Sequence, residues 1–220
     1  VYKRQVYTKT EERLNYLSHA TGILMGLMAG YFMWRSVSPA YSSVWVAGGI
    51  MLYFSGMLSS YCASTLYHAW PAGKVWKEKL RRIDHAAIYW HIAGSYSPFT
   101  LIALREQDFW GWGLFGFVWL CAVAGTVMSL NRLKEHSNLE TVCFIAMGLT
   151  ILVALDPLLK TTSMETILWI IEEGVCFITG AVFYSWHQRK FMHSVFHFFV
   201  LGGSICHIMA VWHLLTPMMS

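Results

Sequence analysis

The sequence predicts an all-α fold, a polytopic membrane protein built as a bundle of seven transmembrane helices. Hydrophobic residues make up 56% of the 220 residues and charged residues only 13%, whereas soluble domains carry about 25% charged residues. The apolar residues are also gathered into seven stretches, each close to the length of about 20 residues that a bilayer requires. The uneven distribution of Lys and Arg along the chain then gives the bundle an orientation.

The seven predicted spans follow one another with short connections, so the chain forms a single domain over residues 1–220 whose successive helices run in opposite directions. Gly22, Gly26 and Gly30 recur every fourth residue in the first span, a pattern that predicts close packing against another helix. The spans cover residues 16–34, 44–66, 83–104, 110–130, 139–155, 166–186 and 194–215.

The orientation follows from the basic residues. Thirteen of the sixteen Lys and Arg residues lie in the N-terminal segment and in the second, fourth and sixth loops. Cytoplasmic loops are enriched in Lys and Arg, so the N-terminus is predicted to be inside and the C-terminus outside, in the inner (plasma) membrane of the cell. No basic stripe interleaved with polar residues occurs, and we therefore expect no nucleic-acid partner.

Four ionisable residues are predicted to meet at the inner end of the bundle. His193 and His197 share one face of the seventh span, at the spacing by which one helix supplies two metal ligands. His68 ends the second span and Asp84 begins the third. Three imidazoles with an open fourth position are typical of catalytic zinc, whereas structural zinc usually has four protein ligands. Asp84 could ligate Zn²⁺ directly or hold its water, and Ser64, one turn before His68, could orient a ligand or donate to an oxyanion.

These residues belong to a series of motifs that resembles a known family, the progestin and adipoQ receptor family, and within it the bacterial haemolysin III proteins. The resemblance covers essentially the whole chain. The motifs are Glu12 with Asn15-x3-His19 and Gly22, then Ser64-Thr65-Leu66-Tyr67-His68, Asp84-His85, the segment 92–99 (IAGSYSPF), and His193-x3-His197 continuing to His207.

The resemblance implies a seven-helix bundle oriented opposite to G-protein-coupled receptors. It implies zinc bound by His68, His193 and His197, with Asp84 contacting the metal through water. The receptor branch of the family looks like a set of lipid amide hydrolases that act on ceramide, and the bacterial branch is associated with membrane lipid homeostasis.

We therefore expect a zinc-dependent membrane hydrolase acting on a lipid amide or ester, with a membrane lipid or fatty-acyl compound as its substrate. Asp84 would accept a proton from water, and Ser64 would assist the oxyanion. Two alternatives stay open. One is a non-enzymatic membrane sensor with a structural zinc that acts through protein partners, and the other is a haemolysin-like pore or transporter.

Among the other histidines in predicted spans, His19 and His207 lie closest to the question of a polar site. His19 is expected to be a structural residue, hydrogen-bonded to Asn15, in preference to a donor that supports a zinc ligand. His207 comes ten residues after His197, about 15 Å farther along the helix. It is too distant to ligate the same metal, and a polar cavity and a satisfied core position suit it equally.

Two neighbouring carboxylates, Glu172 and Glu173, lie within the sixth apolar stretch. Exposure at the outer headgroups is the favoured interpretation, and a paired carboxyl in a cavity is the other. His85 follows Asp84, so it is predicted to point away from the zinc and to lie at the membrane interface.

Overall fold

The computed structural model describes residues 7–39, 41, 43–132, 138–186 and 188–219, and within these ranges the chain consists of helices joined by short turns. Lys3, Arg4 and Lys134, which contributed to the predicted orientation, lie outside these ranges. The helices are α1 (Lys9–Ser36), α2 (Val44–Ala69), α3 (Val75–Pro98), α4 (Trp110–Arg132), α5 (Asn138–Leu149), α6 (Leu155–Thr161), α7 (Met164–Ser185) and α8 (Met192–Leu215).

The fifth predicted span is longer than expected. A 3₁₀ turn over Thr150–Ala154 links α5 to α6, so the two form one continuous rod that ends at Thr161 instead of residue 155. Pro157 does not end the rod because it falls in the first turn of α6, where a backbone N–H has no helical partner to lose. With this rod taken as one unit, the described chain contains seven long helical segments.

Five of these segments are long and apolar enough to cross a bilayer, fewer than the seven predicted. They are Val44–Ala69, Trp110–Asn131, Leu139–Thr161, Met164–Ser185 and Met192–Met218. Helices α1 and α3 are long enough, at 28 and 24 residues, but are more polar. In α1 the reason is that Asn15, Ser18 and His19 are buried inside the bundle, while Leu24 and Leu27 on the outer face are more than half exposed. The mean hydropathy of a helix averages its buried and its outer face, so buried polar side chains lower it. The fold is that of a multi-pass membrane protein.

Helix α1 closes the bundle by packing between α2 and α8. Its glycine stripe faces α2: a Cβ atom added at Gly22 would lie 2.7 Å from the ring of Tyr61, and Gly26 and Gly30 contact the same helix. The predicted packing face is therefore confirmed, and its partner is α2 of the same chain. This packing brings the end of α2 close to the start of α8.

Helices α2 and α3 also approach closely, since a Cβ added at Gly94 would lie 2.8 Å from the carbonyl oxygen of Leu52. Beyond Pro98 the helix widens into a π turn over Phe99–Ala103. The hydroxyl of Thr100 donates to the carbonyl of Tyr96 at 2.9 Å, which satisfies a backbone acceptor near the proline. The close approach places Asp84, near the start of α3, beside the end of α2.

Candidate metal centre and cavity

Three histidines converge where the last turn of α2 meets the first two turns of α8. Nε2 of His193 lies 3.2 Å from Nε2 of His68 and 2.9 Å from Nε2 of His197, and one ring nitrogen from each of the three lies within 4.8 Å of the others. The ring of Tyr7 lies against His193, with centroids 4.9 Å apart. The predicted convergence of these residues, here called the histidine cluster, is confirmed, and this buried group could bind a metal ion.

The spacing of the nitrogens suits zinc. Two imidazole nitrogens bound to one tetrahedral Zn²⁺ at about 2.0–2.1 Å lie about 3.3 Å apart. Of the three nitrogen–nitrogen distances in the cluster, the two that involve His193 are 3.2 and 2.9 Å, and the third is no more than 4.8 Å. Neutral imidazoles carry one lone-pair nitrogen each. Lone pairs that face one another at this distance repel unless a proton or cation lies between them.

The opposite ring nitrogens are held by α1. Nδ1 of His68 lies 2.6 Å from Oε2 of Glu12, and Nδ1 of His197 lies 3.3 Å from the backbone oxygen of Asn15. We assign the ring protons to these Nδ1 atoms, since both partners are acceptors. The assignment leaves Nε2 of His68 and His197 unprotonated and directed at the centre of the cluster, the arrangement that metal-ligating histidines adopt.

Lys77 balances the charge of Glu12. Its ammonium lies 2.8 Å from Oε1 of Glu12 and donates to the carbonyl of Tyr67 at 2.6 Å. Burial raises the pKa of Glu12, and the hydrogen bond from Lys77 works in the opposite direction. The carboxylate that holds His68 therefore has its own cation.

Glu11 fixes the start of α8. Its Oε1 accepts a hydrogen bond from the backbone N–H of Phe191 at 2.7 Å, and its Oε2 accepts one from the N–H of Thr8 at 2.8 Å, as part of the capping box of α1. Burial disfavours the charged carboxylate, but these hydrogen bonds outweigh it and lower the pKa of Glu11. Because Phe191 precedes His193 by two residues, Glu11 helps to place α8 at the cluster.

The predicted partnership of His19 and Asn15 is wrong. The side-chain oxygen of Asn15 accepts a hydrogen bond from Ser194 at 2.6 Å, and its amide lies against His68. His19 stacks on His197, with ring centroids 3.9 Å apart, and neither of its ring nitrogens has a hydrogen-bond partner among the described residues. Residues four apart on one helix share a face, which is why the sequence pairs Asn15 with His19. In the structure the Asn15 side chain points towards α2 and α8 instead.

A cavity of about 430 Å³ starts at the cluster and extends between α3, α5, α7 and α8. His193, His197 and Asp84 line one end, and Glu173 and His207 line the other. Most of the remaining lining is apolar. Further lining residues, including Leu152, Ile171 and Val175, are exposed on the outside of the bundle, so the cavity opens sideways, towards the region where lipid surrounds a membrane protein.

Asp84 and Ser64 lie together on the cavity wall. The hydroxyl of Ser64 is buried and lies close to the Asp84 carboxylate, but it has no partner at ordinary hydrogen-bond distance among the described residues. Within the described ranges, the possible metal ligands whose atoms all lie within 4.8 Å of one another are the three histidines of the cluster. Asp84 does not belong to this group. The partner that orients His68 is Glu12 and not Ser64. The roles of Asp84 as ligand or base and of Ser64 at the oxyanion stay predictions.

His85 lines the cavity, and its location at the membrane interface stays a prediction. Its Nδ1 lies 2.9 Å from Oε2 of Glu140, whose Oε1 accepts a hydrogen bond from Ser129 at 2.5 Å. Glu140 is 2% exposed. The sequence did contain a signal for this pairing, because Glu140 lies at the start of the fifth apolar stretch and a carboxylate buried there requires a partner.

The two neighbouring glutamates of α7 have different environments. Glu172 is exposed, and its location at the outer headgroups stays a prediction. For Glu173 the favoured interpretation of exposure is wrong, because its Oε2 lies 2.7 Å from Nδ1 of His207 and both side chains line the cavity. Adjacent helical residues point about 100° apart, so one can face outwards while the next faces the cavity.

Comparison with known proteins places these features in a family. A sequence model described as Haemolysin-III related matches residues 7–208. Hemolysin-3 of Bacillus cereus is 32% identical over 208 residues, which covers 94% of this chain and 93% of that protein. The Hemolysin-3 homolog of Bacillus subtilis (strain 168) is 33% identical over 199 residues, 90% of this chain and 92% of the homolog. Human monocyte to macrophage differentiation factor is 26% identical over 226 residues, 96% of this chain and 86% of the human protein.

Proposed function

Because the chain belongs to the haemolysin-III related family, we propose that it is a zinc-dependent hydrolase of the inner (plasma) membrane. Its substrate is an amide or ester of a membrane lipid or another fatty-acyl compound, and its activity serves membrane lipid homeostasis. The observation that carries this proposal is the position of the histidine cluster at the head of a largely apolar cavity that opens sideways from the bundle. An acyl chain entering by this route needs no aqueous path.

The proposal includes seven spans, with the N-terminus inside. Helix α1 packs between α2 and α8, both apolar enough to cross the bilayer, and its 28 residues extend about 42 Å. Ser18 and His19 in its middle are buried in the bundle, whereas Leu24 and Leu27 are exposed on its outer face. Lys77, Arg81 and Arg82 in the first turns of α3 lie at the same end of the bundle as the cluster, which the excess of basic residues assigns to the cytoplasm.

Zn²⁺ held by the three imidazoles would polarise a substrate carbonyl and make water a stronger nucleophile near neutral pH. Glu12 and the backbone of Asn15 hold His68 and His197 in the tautomer that binds a metal. Asp84 accepts the proton lost by the attacking water, and the Ser64 hydroxyl donates to the oxygen on which negative charge develops. The apolar wall of the cavity binds the acyl chain and excludes bulk water.

The metal is tested by elemental mass spectrometry on protein purified in detergent. We expect stoichiometric zinc in the wild type and none in the double variant His193→Ala/His197→Ala. His213→Ala, near the opposite end of α8, is the matched control and should keep its zinc. Wild-type protein without zinc, or zinc retained in the double variant, would exclude the proposed centre.

Hydrolysis is tested by the release of fatty acid from N-acyl and O-acyl lipids presented to the protein in nanodiscs. Loss of a general base costs about 10²–10⁴-fold in rate, so Asp84→Asn should slow release by about that factor while keeping zinc. Asp156→Asn changes an exposed carboxylate paired with Lys160 and should leave the rate unchanged. Equal rates in Asp84→Asn and the wild type would remove Asp84 from the reaction.

A second candidate is a non-enzymatic sensor or regulator with a structural zinc. It is favoured by the way the cluster and its partners join three helices, since Glu12 and Asn15 belong to α1, His68 to α2 and the other two histidines to α8. Zinc-dependent folding without turnover would support this candidate. The names of the bacterial relatives also keep a haemolysin-like pore or transporter as a third candidate, for which conductance in liposomes is the test.

A further inference from the structure

The end of the cavity opposite the histidine cluster holds a second polar group, the distal pair of Glu173 and His207. Nδ1 of His207 lies 2.7 Å from Oε2 of Glu173. His207 is 3% exposed, and its other ring nitrogen, Nε2, has no hydrogen-bond partner in the described part of the chain. The ring of Tyr53 packs on His207 with centroids 4.6 Å apart, and its buried hydroxyl also finds no partner among the described residues.

Buried polar atoms without protein partners are normally satisfied by ordered water or by a ligand. Both members of the distal pair line the cavity, so a molecule in the cavity can reach them. The surrounding wall offers apolar contacts, including the ring of Phe99, which lies 5.5 Å from that of His207 between centroids. The distal pair therefore offers directional bonds at the end of an apolar passage.

The chemistry of the pair selects the ligand group. An apolar environment favours a pair without net charge, and in that state Nε2 of His207 carries a proton to donate while Glu173 retains an oxygen that accepts. A hydroxyl both accepts and donates, so it can satisfy both residues at once. An alkyl chain satisfies neither residue.

The distance between the two ends sets the length of the ligand. His207 lies ten residues beyond His197 on α8, which corresponds to about 15 Å along the helix. An extended carbon chain advances roughly 1.2 Å per bond, so about twelve carbons cover this distance. We propose that the distal pair is a hydroxyl-binding subsite, which recognises a long-chain amphiphile bearing a hydroxyl about twelve carbons from the group held at the histidine cluster. This rests on the proposed function only in placing a fatty-acyl chain in the cavity.

The test is a binding experiment on the zinc-loaded protein in nanodiscs, by displacement of a fluorescent fatty acid. Its probes are dodecanoic acid, 12-hydroxydodecanoic acid and 2-hydroxydodecanoic acid. The wild type should bind the 12-hydroxy acid about 10-fold more tightly than the 2-hydroxy acid, which is about 1.4 kcal/mol. Glu173→Leu and His207→Phe should each remove this preference without weakening the binding of dodecanoic acid. Glu172→Leu, at the exposed neighbouring position, is the matched control and should retain the preference.

Equal binding of the two hydroxy acids by the wild type would overturn the proposal, because water alone would then satisfy the pair. A preference that persists in both variants would overturn it as well. Size-exclusion profiles establish that the variants fold, and His207→Phe serves as the test if Glu173→Leu does not fold. The assay involves no turnover, so a protein that fails to hydrolyse lipids but prefers the 12-hydroxy acid disproves the hydrolase alone.

Discussion

The chain contains two glutamate–histidine pairs of nearly the same geometry, one that lines the distal end of the cavity and one that joins the histidine cluster to α1. Nδ1 of His68 lies 2.6 Å from Glu12, and Nδ1 of His207 lies 2.7 Å from Glu173. They differ in what faces the other ring nitrogen. Nε2 of His68 lies 3.2 Å from Nε2 of His193, whereas Nε2 of His207 finds no partner in the described ranges. In the proposed function the first pair would orient a metal ligand, and in the proposed subsite the second pair would bind a ligand in the cavity.

The two pairs also differ in how their charge is balanced. Glu12 lies before the first predicted span and is bonded to the Lys77 ammonium at 2.8 Å. For Glu173 the structure shows His207 as its ion-pair partner, and no Lys or Arg side chain within the described ranges bonds to it. A pair among apolar helix faces has to neutralise itself, whereas a pair near the helix ends can use a lysine from the first turn of a neighbouring helix.

The largest expected difference between the two pairs is in their effect on zinc affinity. Removing the partner that fixes a metal-ligating histidine typically costs 10–100-fold in affinity. Glu12→Ala should therefore weaken zinc binding by about that factor, measured by competition with a chelator of known affinity. Glu173→Ala removes an equivalent bond to a histidine outside the cluster and should leave the affinity unchanged. Equal losses in the two variants would mean that Glu12 has no special role at the metal.

A smaller effect is expected on stability at the distal pair. Glu173→Leu leaves the ring N–H of His207 buried without an acceptor, which costs about 1–3 kcal/mol. Replacing both members, in Glu173→Leu/His207→Phe, should recover most of that loss because no polar group is then left unsatisfied. The loss in Glu173→Leu and its recovery in the double variant are both measured as changes in the free energy of unfolding in detergent. A double variant as unstable as the sum of the two single variants would show that the residues do not act as a pair.

The two ends of the cavity also differ in how much the sequence could predict. The i, i+4 spacing of His193 and His197 and the depth assigned to His68 by loop charges were enough to predict the histidine cluster. Their partners on α1, Glu12 and Asn15, were identified only as residues of the family motif, and no contact with the histidine cluster was predicted for them. A local rule paired Asn15 with His19, and the actual contacts depend on how α1 rotates between α2 and α8.

At the distal pair the sequence predicted polar residues but not their pairing. Glu172 and Glu173 look equivalent in an apolar stretch, and which of them faces inwards depends on the rotation of α7 against α8. The hydropathy of α1 and α3 has the same ambiguity, since polar residues that face the cavity lower the average as much as polar residues that face water. Sidedness on a helix is set by tertiary packing, and a single sequence carries little information about it.

The smallest expected effect concerns the end of the bundle where Glu11 joins α1 to α8. The pKa of Glu11 is lowered in the folded state from an ordinary value of 4.5, so its contribution to stability is complete above that value and is lost as the pH falls through the lowered pKa. Glu11→Gln should cost about 1 kcal/mol at pH 7, and the difference from wild type should shrink as the pH falls below about 4.

The measurement is unfolding in detergent at several pH values, with Glu106→Gln, an exposed carboxylate, as the matched control that should show no loss. Local hydrogen exchange should place the loss at the start of α8, beside the histidine cluster, and not near the distal pair. Because Phe191 at that helix start is held by Glu11 and His193 follows two residues later, a difference that stayed constant with pH would mean that the carboxylate charge is not what holds α8 in place.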